Sequence, residues 1–309
     1  AMLRALAYRR GWLGSESAGV PVIVVGNLTV GGTGKTPLVI WLVDYLVNQG
    51  YRPGVVMRGY GADRQAEPCP VPADADPILF VDEPALIAGR RICQVVIGRD
   101  RVAGARMLSA DYDCDLVVAD DGLQHYRLRR DCEILVIDSQ RRIGNGRCLP
   151  AGPLREPRAR GERADLRIVN GGGKADAARM QLLPGDAVSL YDAGLRKPLT
   201  DFVGAPVTAV AGIGNPMRFF GMLRGLGLRL DARPYPDHHR FSQADVLQWP
   251  AGPVLMTEKD AVKCRPTAAA NHWYVPVKAH PDAGFVASLD SVLQRIAGLG
   301  EASIRIPAP

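Results

Sequence analysis

The sequence predicts an α/β protein, a doubly wound and mostly parallel sheet with a second, smaller α/β domain, and three observations carry that prediction. Short β-branched runs alternate with helix-length amphipathic stretches through most of the 309 residues. A glycine-rich bend, VIVVGNLTVGGTGKTP over 22–37, joins the first such run to the first helix. The alternation breaks at a polar connector and resumes near Pro206, which predicts a larger unit over 1–200 and a smaller one over 201–309. A chain of this length that is 47% hydrophobic has material for two cores.

The bend reads as a phosphate cradle, which makes the larger unit P-loop NTPase-like. Backbone N–H groups over Thr29, Val30, Gly31, Gly32, Thr33 and Gly34 would line it, and Lys35, Thr36 and Pro37 open a helix whose positive end favours anions. Lys35 suits the β- and γ-phosphates and the Thr36 hydroxyl suits Mg²⁺. Strict Walker A spacing asks for glycine where Thr29 stands, and Val30 occupies the place of a lysine found in the P-loops of nucleotide-driven switches. Alone, then, the loop indicates a nucleotide without indicating a reaction.

Composition narrows the partners. The net charge of +6 rests on arginine, the lysines being Lys35, Lys174, Lys197, Lys259, Lys263 and Lys278. With aromatics at 6% and no basic aromatic face, the excess points away from nucleic acid and towards a phosphorylated small molecule or an anionic membrane surface. The cysteines (69, 93, 114, 132, 148 and 264) have no metal-like spacing and read as free thiols. No run of about 18 apolar residues is present. The start, MLRALAYRRGWL, is a short basic amphipathic segment with two readings, a helix packed on the domain or one lying on anionic lipid.

Taken in order, helix is expected over 38–49, strand over 53–57, a proline-rich connector over 62–76 and strand over 78–81, followed by Asp82-Glu83-Pro84. The two carboxylates have two readings, helix capping or base chemistry at a strand end. Strand 95–97, helix 100–109 and strand 116–119 follow, and the last runs into Asp120-Asp121-Gly122, a Walker B arrangement for Mg²⁺. Asp138, after the strand at 134–137, is a rival that reads better as a strand end. The loop 141–163 is dense in arginine, with Arg155 and Glu156 held between prolines. A strand at 165–169 and a polar connector over 171–201 close the first unit. The second reads as strand 207–211, a turn with Asn215 as cap, helix 217–226, and strands 229–233 and 254–257, with 273–277 and 288–296 completing the small domain. His238 and His239 lie between, and on extended backbone they would face opposite sides.

With VVGNLTVGGTGKTP, MRGYG, DEP, DDGLQH, LPAGPLREP, AGIGNP, DHHRF and TEKDAVK in that order over roughly 21–263, the chain resembles the tetraacyldisaccharide 4′-kinases of lipid A biosynthesis. The resemblance implies transfer of the ATP γ-phosphoryl group, with Mg²⁺, to the 4′-hydroxyl of an acylated glucosamine disaccharide 1-phosphate at the cytoplasmic face of the inner membrane. It implies a base at Asp82 paired with a histidine, expected to be His239, and Lys35 and Arg101 meeting developing phosphate charge. Asp120 and Asp121 with Thr36 would organise the metal. Glu156 joins that set or lines the acceptor side with Arg155, and Glu83, Gln124, His125 and His238 complete the acceptor side. Members usually begin with a longer hydrophobic helix than the twenty or so residues that precede the first strand here, so peripheral association is expected. The alternative is a P-loop switch or metallochaperone-type NTPase acting through a protein partner.

Overall fold

The computed structural model describes residues 2–59, 67–172 and 178–304. Tyr60 and Gly61 of the MRGYG motif, part of the proline-rich connector, Gly173 and the tail from 305 lie outside the described residues. In chain order the first elements are α1 (Met2–Arg9), β1 (Val22–Gly26), α2 (Lys35–Asn48), β2 (Pro53–Met57), β3 (Cys69–Pro70), α3 (Pro77–Phe80) and α4 (Asp82–Gly89). They continue with β4 (Gln94–Ile97), α5 (Arg101–Asp111), β5 (Leu116–Asp120), β6 (Cys132–Asp138), β7 (Leu166–Asn170) and β8 (Ala178–Pro184). Next come β9 (Ala187–Ser189), β10 (Arg196–Lys197), β11 (Pro206–Ala211), α6 (Pro216–Gly225), β12 (Arg229–Pro234), α7 (Gln243–Leu247), β13 (Val254–Thr257), α8 (Glu258–Cys264) and β14 (His272–Val275). The chain closes with β15 (Val277–Pro281) and α9 (Ala283–Ile304).

Among the described residues the larger sheet runs β15-β8-β7-β6-β1-β5-β2-β4-β3 and is parallel except at its edges, where β3 and β15 pair antiparallel. Alternate residues of β1 serve two cores, as a sheet covered on both faces requires. Ile23 and Val25 pack with Leu38 and Leu42 of α2 and Phe285 and Leu289 of α9. Val22 and Val24 pack with Val102, Ala105 and Leu108 of α5. The smaller sheet runs β10-β9-β14-β13-β11-β12. Phe219, Phe220 and Leu223 of α6 pack on one face and Trp249, Ala261 and Cys264 on the other.

Sheet membership departs from a division at 200/201. Strands β9 and β10 already belong to the smaller sheet, and β15 with α9 returns to the larger one. The smaller lobe is thus inserted between β8 and β15, and the two crossings are tied where Gly185 N donates to Pro276 O at 2.9 Å. Two local expectations are corrected. The connector after Gly171 carries β8, β9 and β10. The stretch 78–81 is not a strand: Asp76 accepts a hydrogen bond from Ile78 N and Pro77 stands at the first helical position, so the apolar run starts a short helix.

Candidate active site

The phosphate loop is built by β1 and α2. Gly34 caps the helix in left-handed backbone (φ 89°), and a Cβ there would lie 2.3 Å from Asn170 Nδ2, so only glycine fits. Asn170, at the end of β7, donates to Thr33 O at 2.9 Å and holds the loop from below. Pro37 lies in the first helical turn, where its missing N–H is an orphan position in any case. The arginine-rich loop is stitched on top: Val30 N donates to Pro153 O (2.9 Å) and Arg155 N to Leu28 O (2.7 Å). That stitching brings Arg155 to the Walker-type aspartates, with Nη1 2.6 Å from Asp121 Oδ2. Lys35 Nζ donates to Asn27 Oδ1 (3.1 Å) and pairs with Asp121 Oδ1 (3.2 Å).

Asp120 and Asp121 have opposite electrostatics although they are neighbours. Burial opposes the Asp121 charge, but Lys35 and Arg155 outweigh it and hold the carboxyl down at about 2. Burial and the nearby Glu83 charge push Asp120 up to about 7. Arg101 donates from Nη1 to the Asp120 backbone carbonyl at 2.8 Å and is itself buried, and burial lowers its pKa. Asp120 Oδ1 is buried without a hydrogen-bond partner.

Glu156 does not join these two. Its oxygens are engaged by Gln124 Nε2 (3.0 Å) and the Tyr126 hydroxyl, with Arg160 Nε 3.9 Å away. Among the described residues no three acidic, histidine or cysteine side chains come together as a metal-holding group. Glu156 thereby anchors Gln124 and Tyr126. His125 lies in the same turn, its carbonyl accepting from Arg130.

Across the cleft, Asp82 and Glu83 occupy the first turn of α4, after Val81 turns the chain at φ 65°. Asp82 is thus at a helix N-terminus rather than a strand end, and it is buried. Its partner is His238, whose Nδ1 donates to Asp82 Oδ1 at 2.9 Å. The pairing with His239 is corrected. His238 sits in left-handed backbone (φ 60°), so the two imidazoles are not displayed as on a strand. His239 instead lies 3.3 Å from Asp245 Oδ2 and packs between the rings of Tyr235 and Phe241. Burial works against the Asp82 charge, but the His238 hydrogen bond and the Lys259 and Lys263 ammonium groups outweigh it and hold the carboxyl at about 2. The same hydrogen bond raises the pKa of His238.

The smaller lobe closes directly on the phosphate loop. A Cβ on Gly214 would lie 2.6 Å from Gly32 N, so this turn needs glycine for the approach. Asn215 caps α6 by accepting from Arg218 N. Arg218 then reaches back, with Nη1 3.1 Å from Asp138 Oδ2 and Nη2 donating to Asn170 O at 3.3 Å. Asp138 ends β6, as expected, and its other oxygen accepts from the Gln140 and Arg141 amides. Sequence reasoning missed Asn27, Asn170, Arg218 and Lys259 as site residues. Only Lys259 carried a signal, as a lysine kept in an arginine-rich chain.

Comparison with known proteins gives the family of the chain. The chain is 49% identical to a tetraacyldisaccharide 4′-kinase of Nitrosococcus oceani, over 96% of this chain and 87% of that one. It is 47% identical to one of Alkalilimnicola ehrlichii, over 96% of this chain and 89% of that one. A crystal structure of LpxK from Aquifex aeolicus in complex with ATP superposes with a TM-score of 0.77 at 27% identity, over 95% of this chain and 94% of that one. The family model for the tetraacyldisaccharide-1-P 4′-kinases matches residues 1–294, and the chain belongs to that family.

Proposed function

We propose that this chain binds ATP on the loop from Thr29 to Pro37 and passes its γ-phosphoryl group to the 4′-hydroxyl of a tetraacyldisaccharide 1-phosphate, with Asp82 accepting the hydroxyl proton. The observation that carries the reading is the pairing of two built half-sites. One is the phosphate loop, with Lys35 and Arg155 converging on Asp121. The other is Asp82, a buried carboxylate held by His238 at the start of α4. Phosphoryl transfer asks chiefly for positioning and charge neutralisation, which Lys35 and the loop amides supply to the donor. Family membership sets aside the switch or metallochaperone reading.

The residues present fit Mg²⁺. Asp120 Oδ1, buried and without a hydrogen-bond donor, and the hydroxyl of Thr36 at the start of α2 are oxygen donors of the kind a hard cation takes. Asp120 and Thr36 would hold it, with Asp121 beside them, and it would neutralise phosphate charge. The acceptor side is assigned to Gln124, which Glu156 holds, and Arg155, which Asp121 holds.

No helix among the described residues is long and apolar enough to cross a membrane. Exposed Trp12 and Leu13 follow α1 beside Arg10, whose guanidinium lies 5.4 Å from the Trp12 ring. Tyr8 stacks on Tyr126, next to Glu156. This supports peripheral docking on the cytoplasmic face of the inner membrane, where an acylated substrate resides. The test is incubation with ATP, Mg²⁺ and the disaccharide 1-phosphate in detergent. A bisphosphorylated lipid is expected, and folded, ATP-binding protein that yields none overturns the reading.

A further inference from the structure

Among the few lysines of this arginine-rich chain, Lys259 and Lys263 lie one turn apart on α8 and both face Asp82. Lys259 is the hub. Its Nζ lies 3.2 Å from Glu83 Oε1, 3.6 Å from Asp82 Oδ2 and 3.6 Å from Asp237 Oδ1. Two of those carboxylates belong to α4 of the larger lobe, and the third immediately precedes His238 in the smaller one. His238 in turn holds the other oxygen of Asp82 at 2.9 Å, with its Nε2 3.9 Å from Asp237 Oδ2. One ammonium therefore touches Asp82 itself and the residue that carries its histidine partner.

The neighbouring charges divide the work. Lys263 reaches the same Asp82 Oδ2 at 3.6 Å but is anchored 2.8 Å from Asp260 Oδ1, so its charge is largely answered within its own helix. Asp260 accepts from Gly212 N and the Thr257 hydroxyl, which ties that pair to the turn over the phosphate loop. Arg90 meets both oxygens of Glu258 at 2.6 and 2.7 Å, fastening the end of α4 to the start of α8. Helix docking is thus served by a bidentate pair next to Lys259. A compact ammonium with three donors suits a position among three separate carboxylates, whereas a planar guanidinium matches one at a time.

We propose that Lys259 is a positioning residue for the Asp82–His238 pair, fixing the Oδ2 edge of Asp82 directly and the His238 turn through Asp237. The proposal rests on the reading of Asp82 as the base. In this chain, Lys259→Met is expected to lower kcat by about 10-fold or more while the KM for ATP stays within about 2-fold. The His238 imidazole, followed by NMR, is expected to titrate at higher pH than in the unsubstituted chain. A cation has then left a surrounding of Asp82, Glu83 and Asp237 in which Lys263 is the remaining ammonium. Lys259→Arg keeps the charge and is expected to restore the titration and part of kcat.

Binding of a non-hydrolysable ATP analogue sets the folded fraction in each variant. A packing role alone would reduce that fraction and the melting temperature without moving the His238 titration. Unchanged kcat in Lys259→Met, or a lowered kcat with the titration unmoved, overturns the proposal. If the methionine variant does not fold, Lys259→Gln replaces it under the same two criteria, with Lys259→Arg as the charged reference. Asp82→Asn separates the two levels. Retained turnover there removes the base reading, whereas lost turnover there beside normal Lys259→Met removes the role of Lys259 alone.

Discussion

Replacing His238 by Gln removes the imidazole that holds Asp82 Oδ1, whereas replacing His239 by Gln removes a ring packed between Tyr235 and Phe241. The first change is expected to reduce turnover by about 10²-fold or more with little loss of stability. The second is expected to cost about 1–2 kcal/mol of stability while most turnover remains in the folded fraction. Steady-state kinetics beside urea unfolding separates them, and the reverse pattern would return His239 to the active site. The Asp82–His238 pair also sets a pH window. Asp82, depressed to about 2 from 3.8, contributes stability that is present above its ordinary value and lost as pH falls towards 2. His238, raised above 6.5, contributes stability that is complete below that value and fades as pH climbs through its raised one. The pair is therefore at full strength between about pH 4 and 6.5, though with His238 half exposed it is worth at most about 1 kcal/mol after screening. Unfolding free energies of the His238→Gln and unsubstituted chains are expected to differ more at about pH 6 than at about pH 9. The residue types of this pair were readable in DEP and DHHRF, but the choice of histidine was not. It depends on a left-handed backbone angle at His238 that no side-chain pattern encodes.

At the scale of elements, the clasp between α6 and the ends of β6 and β7 is the contact to break. Arg218→Met leaves Asp138 Oδ2 buried without its cation and removes one of the two donors to Asn170 O, the other being Ser139 N. The expected cost is about 1–3 kcal/mol by urea unfolding. Because the same helix start carries the turn whose Gly214 lies against Gly32, the KM for ATP is expected to rise by about 5-fold or more, with a smaller effect on kcat. An unchanged KM would detach this turn from nucleotide binding. Elements that bury a continuous apolar run, such as β1, β2, β5 and β13, were legible to within a residue of their ends. The run at 77–80 was not, since four apolar residues have no period and the Asp76 cap with Pro77 decides for helix. Strands β8 and β10 were missed because they are near-edge and edge pieces with exposed polar positions, and β9 because it is buried but three residues long.

For the whole molecule, the break in the α/β alternation near Pro206 did not reveal where the chain changes sheets: β9 and β10 come before it, and the return to the first sheet at β15 was not legible. Its partner β8 lies almost a hundred positions earlier, and their pairing leaves no local mark. The membrane-facing side proposed above is the segment after α1. Trp12→Glu is expected to reduce cosedimentation with vesicles containing anionic lipid, while turnover on detergent-dispersed acceptor stays unchanged. Unchanged cosedimentation would move the docking surface elsewhere on the molecule.

The central claim is that the phosphate loop delivers its phosphoryl group to an acceptor hydroxyl deprotonated by Asp82. A single-turnover experiment with γ-labelled ATP, Mg²⁺ and the disaccharide 1-phosphate, comparing the unsubstituted chain with Asp82→Asn, tests it most directly. The account expects label at the 4′ position in the first, and in the second a rate lower by about 10²–10⁴-fold with ATP bound as tightly as before. Equal rates in the two proteins, or label transferred to water and not to the lipid, would contradict it.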